Sequence, residues 1–322
     1  MKAAVIYENG GPEVLRYEEL PDPECPDGCV VIDVEAISIE GGDLLARAGS
    51  PPPSVPHVVG YLAAGPVVEV GAGVDDRAVG DRVVALNMAG SHASKRAVPA
   101  IATWPIADDL DAAVAACVPV AFGTAQECLF TAASLEPGQT VLVHAGGGGV
   151  GMAAIQLAKQ AGATVISTAS TDEKLERLRD FGLDHGINYA ADGFVERTRE
   201  LTGGQGADVI LDPVGGRTLA DSIGALAYRG TLASFGVAGR AGSEVEAKEL
   251  WGQNLTLRGV YLAAALIAEH ARVHAMIGDL LERVASGDLR VHVDRTFPLA
   301  EAAAAHAYIE SRQAFGRVVL TP

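Results

Sequence analysis

The sequence predicts an α/β protein: a doubly wound parallel sheet joined to a second, mostly β unit. Three observations carry this expectation. From about residue 140, short apolar strand-like runs alternate with helix-like runs, a pattern of right-handed crossovers onto a parallel sheet. Residues 1 to about 120 instead show short apolar runs broken by Gly and Pro. Between the two, Val141-Leu142-Val143-His144-Ala145 runs into four consecutive glycines, Gly146 to Gly149, and then into a helical pattern. At 322 residues and 49% apolar composition, the chain has room for two domains with substantial cores.

Within the first unit, strands are expected at residues 3–7, 14–18, 29–37, 66–70 and 81–86. Asn9-Gly10-Gly11-Pro12, Pro26-Asp27-Gly28, Gly71-Ala72-Gly73 and Val79-Gly80-Asp81 supply the turns. A helix is expected over 42–47, ending near Gly49 and the breaker run Pro51-Pro52-Pro53. Asp111 is placed to cap a helix running through 114–118, and a second helix follows over 124–133. The alternating region then reads as strand 141–143, helix 150–161, strand 164–168, helix 172–181, strand 187–189, helix 193–201, strand 207–211, helix 218–226 and strands 231–235 and 255–261. The tail reads as a helix over 264–286, a helix over 299–311 and a strand over 318–320 that rejoins the N-terminal unit. The expected domains are 1–120 with 264–322, and 121–263.

Charge and composition exclude several classes. A net charge of −17 argues against nucleic-acid and anionic-membrane partners. No apolar run reaches membrane-spanning length, and Met1 to Tyr7 reads as a first strand rather than a signal peptide. Cys25 and Cys29 have no second Cys or His pair nearby. The four cysteines therefore read as buried or incidental thiols in a reducing cytosol, with no metal expected. His270 and His274 have i, i+4 spacing without a metalloprotease motif and read as surface residues; His144 reads as structural.

Gly146, Gly148 and Gly151 satisfy G-x-G-x-x-G between a buried strand and a helix start, the setting in which a dinucleotide pyrophosphate approaches the backbone. The second strand of such a Rossmann unit ends here in Ser167-Thr168-Ala169-Ser170-Thr171, with no acid before Asp172. Hydroxyls at this place, with Lys174 one turn on, favour a 2′-phosphate and hence NADPH over NADH. Ser170 also fits as the cap of the next helix.

Several further motifs, taken in order, resemble one family. They are Val67-Val68-Glu69-Val70-Gly71-Ala72-Gly73-Val74, Val79-Gly80-Asp81-Arg82-Val83, Phe122-Gly123-Thr124-Ala125, His144 to Gly151, Ile187-Asn188-Tyr189, Phe235-Gly236 and Glu310-Ser311-Arg312. Together they resemble the zinc-independent medium-chain dehydrogenase/reductases of the quinone oxidoreductase kind, over nearly the whole chain. The resemblance implies a GroES-like catalytic domain split around the Rossmann domain, with NADPH in the cleft. It implies Ser170, Lys174 and Tyr189 at the 2′-phosphate, and Gly146, Gly148, Gly149, Val150 and Gly151 at the pyrophosphate. Thr124, Phe235, Gly236, Val237 and Arg312 would line the rest of the cofactor site. It also implies a homodimer built on the 255–261 edge.

Zinc-dependent relatives of this family carry Cys-x-x-Asp and Gly-His-Glu. Here the matching segments read Glu40-Gly41-Gly42-Asp43 and Gly60-Tyr61-Leu62, with Val120 near the third ligand position. Quinone oxidoreductase relatives show Asn-Pro-x-Asp before Arg-x-Gly-x-Tyr. This chain keeps Asp43, Arg47 and Gly49 but has Glu40, Gly41 and Pro51 at the other positions, and Gln126 for another frequent Tyr. Reduction of an enone or quinone leaves an enolate-like oxygen that a donor must stabilise and a proton must follow. Candidates are Tyr61, Glu40 and Arg47. Tyr61 either donates to substrate or packs with its hydroxyl on backbone. Glu40 acts as a general acid or pairs with Arg47, and Asp43 with Arg47 forms an i, i+4 pair. Three functions follow: an NADPH-dependent, cytoplasmic quinone or enone reductase acting on a small molecule; a specialised biosynthetic enzyme using Glu40 and Tyr61; or a nucleotide-binding protein without reductase activity.

Overall fold

The computed structural model describes residues 1–49, 51–242 and 244–322. The chain divides into two compact units: residues 1–120 with 274–322, and residues 121–273.

The second unit is built on six parallel strands in the order His185–Asn188, Thr164–Ala169, Thr140–Val143, Ala207–Asp212, Leu226–Ser234, Thr256–Gly259. This order reverses at Thr140–Val143, the switch point at which α/β sheets bind ligands beyond the strands' carboxyl ends. The central strands are buried on both faces, with Leu142, Ile166, Ile210 and Leu232 in one apolar cluster. That double burial is why they read as continuous apolar runs. Helix Asp172–Leu178 stops three residues short of its expected end and Phe194–Leu201 starts one residue late, whereas Gly149–Gln160 and Gly216–Ala225 each begin before their expected starts. The last strand is Thr256–Gly259, four residues of the expected 255–261.

The first unit is antiparallel except for one parallel pair. Its main path runs Val293–Pro298, Arg317–Thr321, Ala36–Ser38, Leu62–Val70, Cys29–Asp33, Lys95–Pro99. Arg82–Leu86 pairs with Leu62–Val70 and with Thr103–Pro105. A small sheet joins Arg16–Glu19, Lys2–Ile6 and His57–Val58. The expected single strand over 29–37 is two strands. They part where Gly65 crosses so close that a Cβ there would lie 1.9 Å from the Asp33 carbonyl oxygen. Arg317–Thr321 pairs with Ala36–Ser38, so the end of the chain completes the sheet begun near its start.

Three helical expectations change. Asp111 does cap its helix, accepting from the Ala113 and Val114 amides at 2.8 and 3.2 Å, but the helix stops at Ala116. The next helix begins at Val118, six residues before the expected start, and passes at Gln126 into a π-helical turn, Glu127–Ala132. Pro119 lies in its first turn, where a missing N–H costs nothing. The tail helix is broken at Glu269 into Leu262–Ala268 and His270–Ala285.

Candidate active site

In the second unit, Gly148 stands extended (φ −88°, ψ 170°) as the N-cap of helix Gly149–Gln160, and no side chain caps it. The first-turn amides, those of Gly149, Val150 and Gly151, therefore lack intrahelical acceptors and offer an anion site reinforced by the helix dipole. The glycines meet different demands. A Cβ on Gly146 would lie 2.0 Å from Ser167 Oγ, and one on Gly151 would lie 2.5 Å from the Ala145 carbonyl oxygen. A Cβ on Gly148 meets nothing closer than 3.4 Å. Packing thus requires glycine at Gly146 and Gly151, whereas at Gly148 it leaves space above the loop.

His144 underpins this turn. It is buried, with Nδ1 3.2 Å from Thr168 Oγ1 and Nε2 3.0 Å from Ser222 Oγ. Burial lowers its pKa to about 4, so it is a neutral structural link.

Parallel register sets Ala169 beside Asn188, so Ser170 and Tyr189 follow from the carboxyl ends of neighbouring strands. Tyr189 is 45% exposed and Ser170 half-buried. Lys174 lies in the first turn of helix Asp172–Leu178. The cap of that helix is Thr171, whose Oγ1 accepts from the Lys174 amide at 3.3 Å; Ser170 does not fill that place. The first acid, Asp172, accepts from Asn188 Nδ2 at 3.0 Å. Phe235, Gly236 and Val237 leave the end of Leu226–Ser234. The Phe235 amide bonds to the Asp212 carbonyl, and Gly236 is required because a Cβ would lie 2.7 Å from the Pro213 carbonyl oxygen. Thr124 is buried in helix Val118–Gln126. Arg312 belongs to the first unit, exposed and at φ 59° just past helix Ala302–Glu310.

Sequence reasoning missed Asp212. Its buried carboxylate accepts from the Val214 amide at 2.7 Å and the Gly215 amide at 3.2 Å. It thereby shapes the loop beyond a central strand. The signal was present: an Asp at a strand end, then Pro213-Val214-Gly215-Gly216.

In the first unit, the four catalytic candidates gather around helix Gly41–Gly49, but in pairs other than those expected. Glu40 is 3% exposed and binds Arg317, not Arg47. Ser38 Oγ donates to Glu40 Oε1 at 3.1 Å, and Arg317 also donates to the Ile39 carbonyl at 2.9 Å. Burial pushes the Glu40 carboxyl up, against the pull of Arg317 and Ser38. Arg47 is fully buried; it donates to Glu310 Oε1 at 2.6 Å and to the Gly10 carbonyl at 2.8 Å. The Asp43–Arg47 pair does not form. Asp43 Oδ2 accepts from the Glu40 amide at 2.8 Å, and Oδ1 is buried with no hydrogen-bond partner. Burial is the main cause that raises the Asp43 carboxyl to about 8, keeping it protonated at neutral pH.

Tyr61 is the candidate left half-exposed. Its backbone is clamped: the carbonyl accepts from Arg96 Nη1 at 2.8 Å and from the Asn87 amide at 3.1 Å. Its phenol lies against Gly42, where a Cβ would stand 2.6 Å from the hydroxyl oxygen. Leu62, at the next metal-ligand position of zinc-dependent relatives, is fully buried and apolar. With Glu40 held by a guanidinium, this donor set does not fit a zinc ion. Elsewhere in this unit, His274, expected at the surface, is half-buried. It stacks on Trp104 at 4.7 Å and sets Nε2 3.1 Å from the Thr103 carbonyl oxygen.

Comparison with known proteins gives a consistent picture. The model of the alcohol dehydrogenase GroES-like domain matches residues 26–133, and that of the zinc-binding dehydrogenases matches residues 149–280. The 2-haloacrylate reductase of a Burkholderia species is 38% identical, over 99% of this chain and 98% of its own length. A quinone oxidoreductase of Salmonella typhimurium is 33% identical, over 98% of each chain. The solved structure of Escherichia coli quinone oxidoreductase complexed with NADPH superposes with a TM-score of 0.95 at 31% identity, covering 100% of both chains. A mycobacterial protein complexed with NADPH gives 0.94 at 36%, also over 100% of both.

Proposed function

The chain belongs to the quinone-oxidoreductase-like medium-chain dehydrogenase/reductases, and from that premise we propose that it is an NADPH-dependent reductase of a quinone or of a double bond conjugated to a carbonyl or carboxylate. The observation that carries this reading is the placing of Ser170, Lys174 and Tyr189 about adjacent strand ends, in the same unit as an uncapped, glycine-led helix. Bound NADPH supplies a hydride. The amides of Gly149, Val150 and Gly151 hold the pyrophosphate, with Gly146 and Gly148 shaping the loop. Ser170, Lys174 and Tyr189 receive the 2′-phosphate; Thr124, Phe235, Gly236 and Val237 line the remainder.

Tyr61 donates to the substrate oxygen on which negative charge develops. Glu40 and Arg47, each committed to an ion pair, shape the wall of the site rather than exchange protons. Asp43, held neutral, keeps a second negative charge out of it. No catalytic zinc takes part, because Glu40, Tyr61 and Leu62 offer no such donor set. The name of the Burkholderia relative favours an activated alkene as the acceptor. We also assign a homodimer through the exposed edge strand Thr256–Gly259, beside which Trp251 and Tyr261 are 74% and 63% exposed. The four cysteines are free thiols, in keeping with a reducing cytoplasm. Among the described residues no helix is long and apolar enough to cross a membrane.

The test is oxidation of NADPH with a panel of quinones, enones and 2-substituted acrylates. At least one acceptor should turn over, and Tyr61→Phe should lower kcat roughly tenfold or more with little change in NADPH affinity. Full activity in Tyr61→Phe would remove Tyr61 from the chemistry.

A further inference from the structure

Helix Gly41–Gly49 opens on two glycines, although glycine weakens a helix relative to alanine. Neither has a positive φ, so backbone conformation does not demand them. Their surroundings differ sharply. A Cβ on Gly41 would meet nothing within 4 Å. A Cβ on Gly42 would lie 2.4 Å from Tyr61 Cε2, 2.6 Å from the hydroxyl oxygen and 2.7 Å from Cζ. The tip of the phenol therefore occupies the space of the missing side chain.

The rest of Tyr61 has little freedom to retreat. Its carbonyl is held by Arg96 and Asn87. Gly60, immediately before it, sits at φ +102° with a Cβ position 2.0 Å from both Ser91 Oγ and His92 Nδ1. His92 is itself fixed, with Nε2 2.9 Å from His306 Nε2 in a fully buried pair. A group added at Gly42 thus moves the ring rather than the strand.

We infer that Gly42 is a positioning residue: its lack of a side chain lets the Tyr61 phenol lie against the first turn of helix Gly41–Gly49 and so fixes where the hydroxyl meets the substrate. This rests on the reading of Tyr61 as the donor. A ring seated in this way requires glycine, not merely a small residue, at Gly42.

The test pairs a structure with a mutant cycle on the full-length protein. A crystal structure of Gly42→Ala should show the Tyr61 ring turned from its place, and that of Gly41→Ala should not. With NADPH and either 1,4-benzoquinone or 2-chloroacrylate as probe, Gly42→Ala should lower kcat about tenfold while KM for NADPH and the melting temperature hold. In a Tyr61→Phe background the same change should cost less than twofold, because the hydroxyl it acts through is gone. An unmoved ring in Gly42→Ala, or equal losses in the two backgrounds, would overturn the inference. Unchanged turnover in Tyr61→Phe alone would instead refute the role of Tyr61 itself, whatever the ring does in Gly42→Ala.

Discussion

Gly146→Ala and Gly148→Ala separate the two demands made on the glycine loop. At Gly146 the added methyl would stand 2.0 Å from Ser167 Oγ and 3.0 Å from Leu178 Cδ1, both groups fully buried. Ser167 Oγ donates to the Val143 carbonyl at 2.8 Å, so its retreat also breaks a buried hydrogen bond. Overpacking of this kind costs about 1–3 kcal/mol. At about 2–4 °C per kcal/mol for a domain of this size, the melting temperature should fall by roughly 2–12 °C. Ser167→Ala in the same chain removes the closest clash, leaving contacts of 3.0 and 3.1 Å, and should restore at least half of the loss. At Gly148 the nearest atom to the added methyl is 3.4 Å away and the backbone is extended, so stability should hold within about 0.5 kcal/mol. The methyl instead enters the space a pyrophosphate needs. NADPH affinity should drop tenfold or more, about 1.4 kcal/mol. Fluorescence titration of NADPH and thermal denaturation on the same samples measure both quantities. Wild-type NADPH affinity in Gly148→Ala, or destabilisation there equal to that of Gly146→Ala, would refute the division.

Three further outcomes are expected. Lys174→Glu should weaken NADPH at least tenfold and leave NADH within about twofold, because only NADPH carries the 2′-phosphate; paired titrations decide it. Arg317→Met should strand the Glu40 carboxylate in the core and cost about 3–5 kcal/mol in denaturant unfolding, and a loss below about 1 kcal/mol would contradict the buried pair. Asp43 has a folded pKa of about 8 against an ordinary 3.8, so its contribution to stability is complete below the ordinary value and is lost as pH rises through about 8. Asp43→Asn should therefore gain on the wild type in melting temperature from about pH 5 to pH 9, and parallel curves over that range would count against the assignment.

Local signals were the legible part of this protein. The apolar runs and glycine spacing located the parallel sheet, because buried strands and a phosphate turn each impose residue types over a few consecutive positions. The Asp111 cap was readable for the same reason. Partners distant in the chain were not. Glu40 pairs with Arg317, 277 residues away, and Arg47 with Glu310, whereas reasoning along one helix offered only Asp43 and Glu40 for Arg47. Strands Lys95–Pro99 and Val293–Pro298 carry charges and prolines, so they lack the apolar alternation that marks a strand; backbone pairing forms them. Thr171 rather than Ser170 caps its helix, a one-residue choice that two adjacent hydroxyls leave open in sequence. Gly42 carried no signal in the sequence, since its reason is the ring of Tyr61, on another segment.

The central claim is that the glycine-led helix start and the Ser170, Lys174 and Tyr189 set bind NADPH for hydride delivery to a small acceptor. Its most direct test is the initial rate of reduced-nicotinamide oxidation, NADPH beside NADH, with 2-chloroacrylate and 1,4-benzoquinone. The account predicts saturable oxidation of NADPH with at least one of the two, and at least tenfold lower kcat/KM for NADH. Equal use of the two nucleotides, or no oxidation of NADPH with either acceptor, would contradict it.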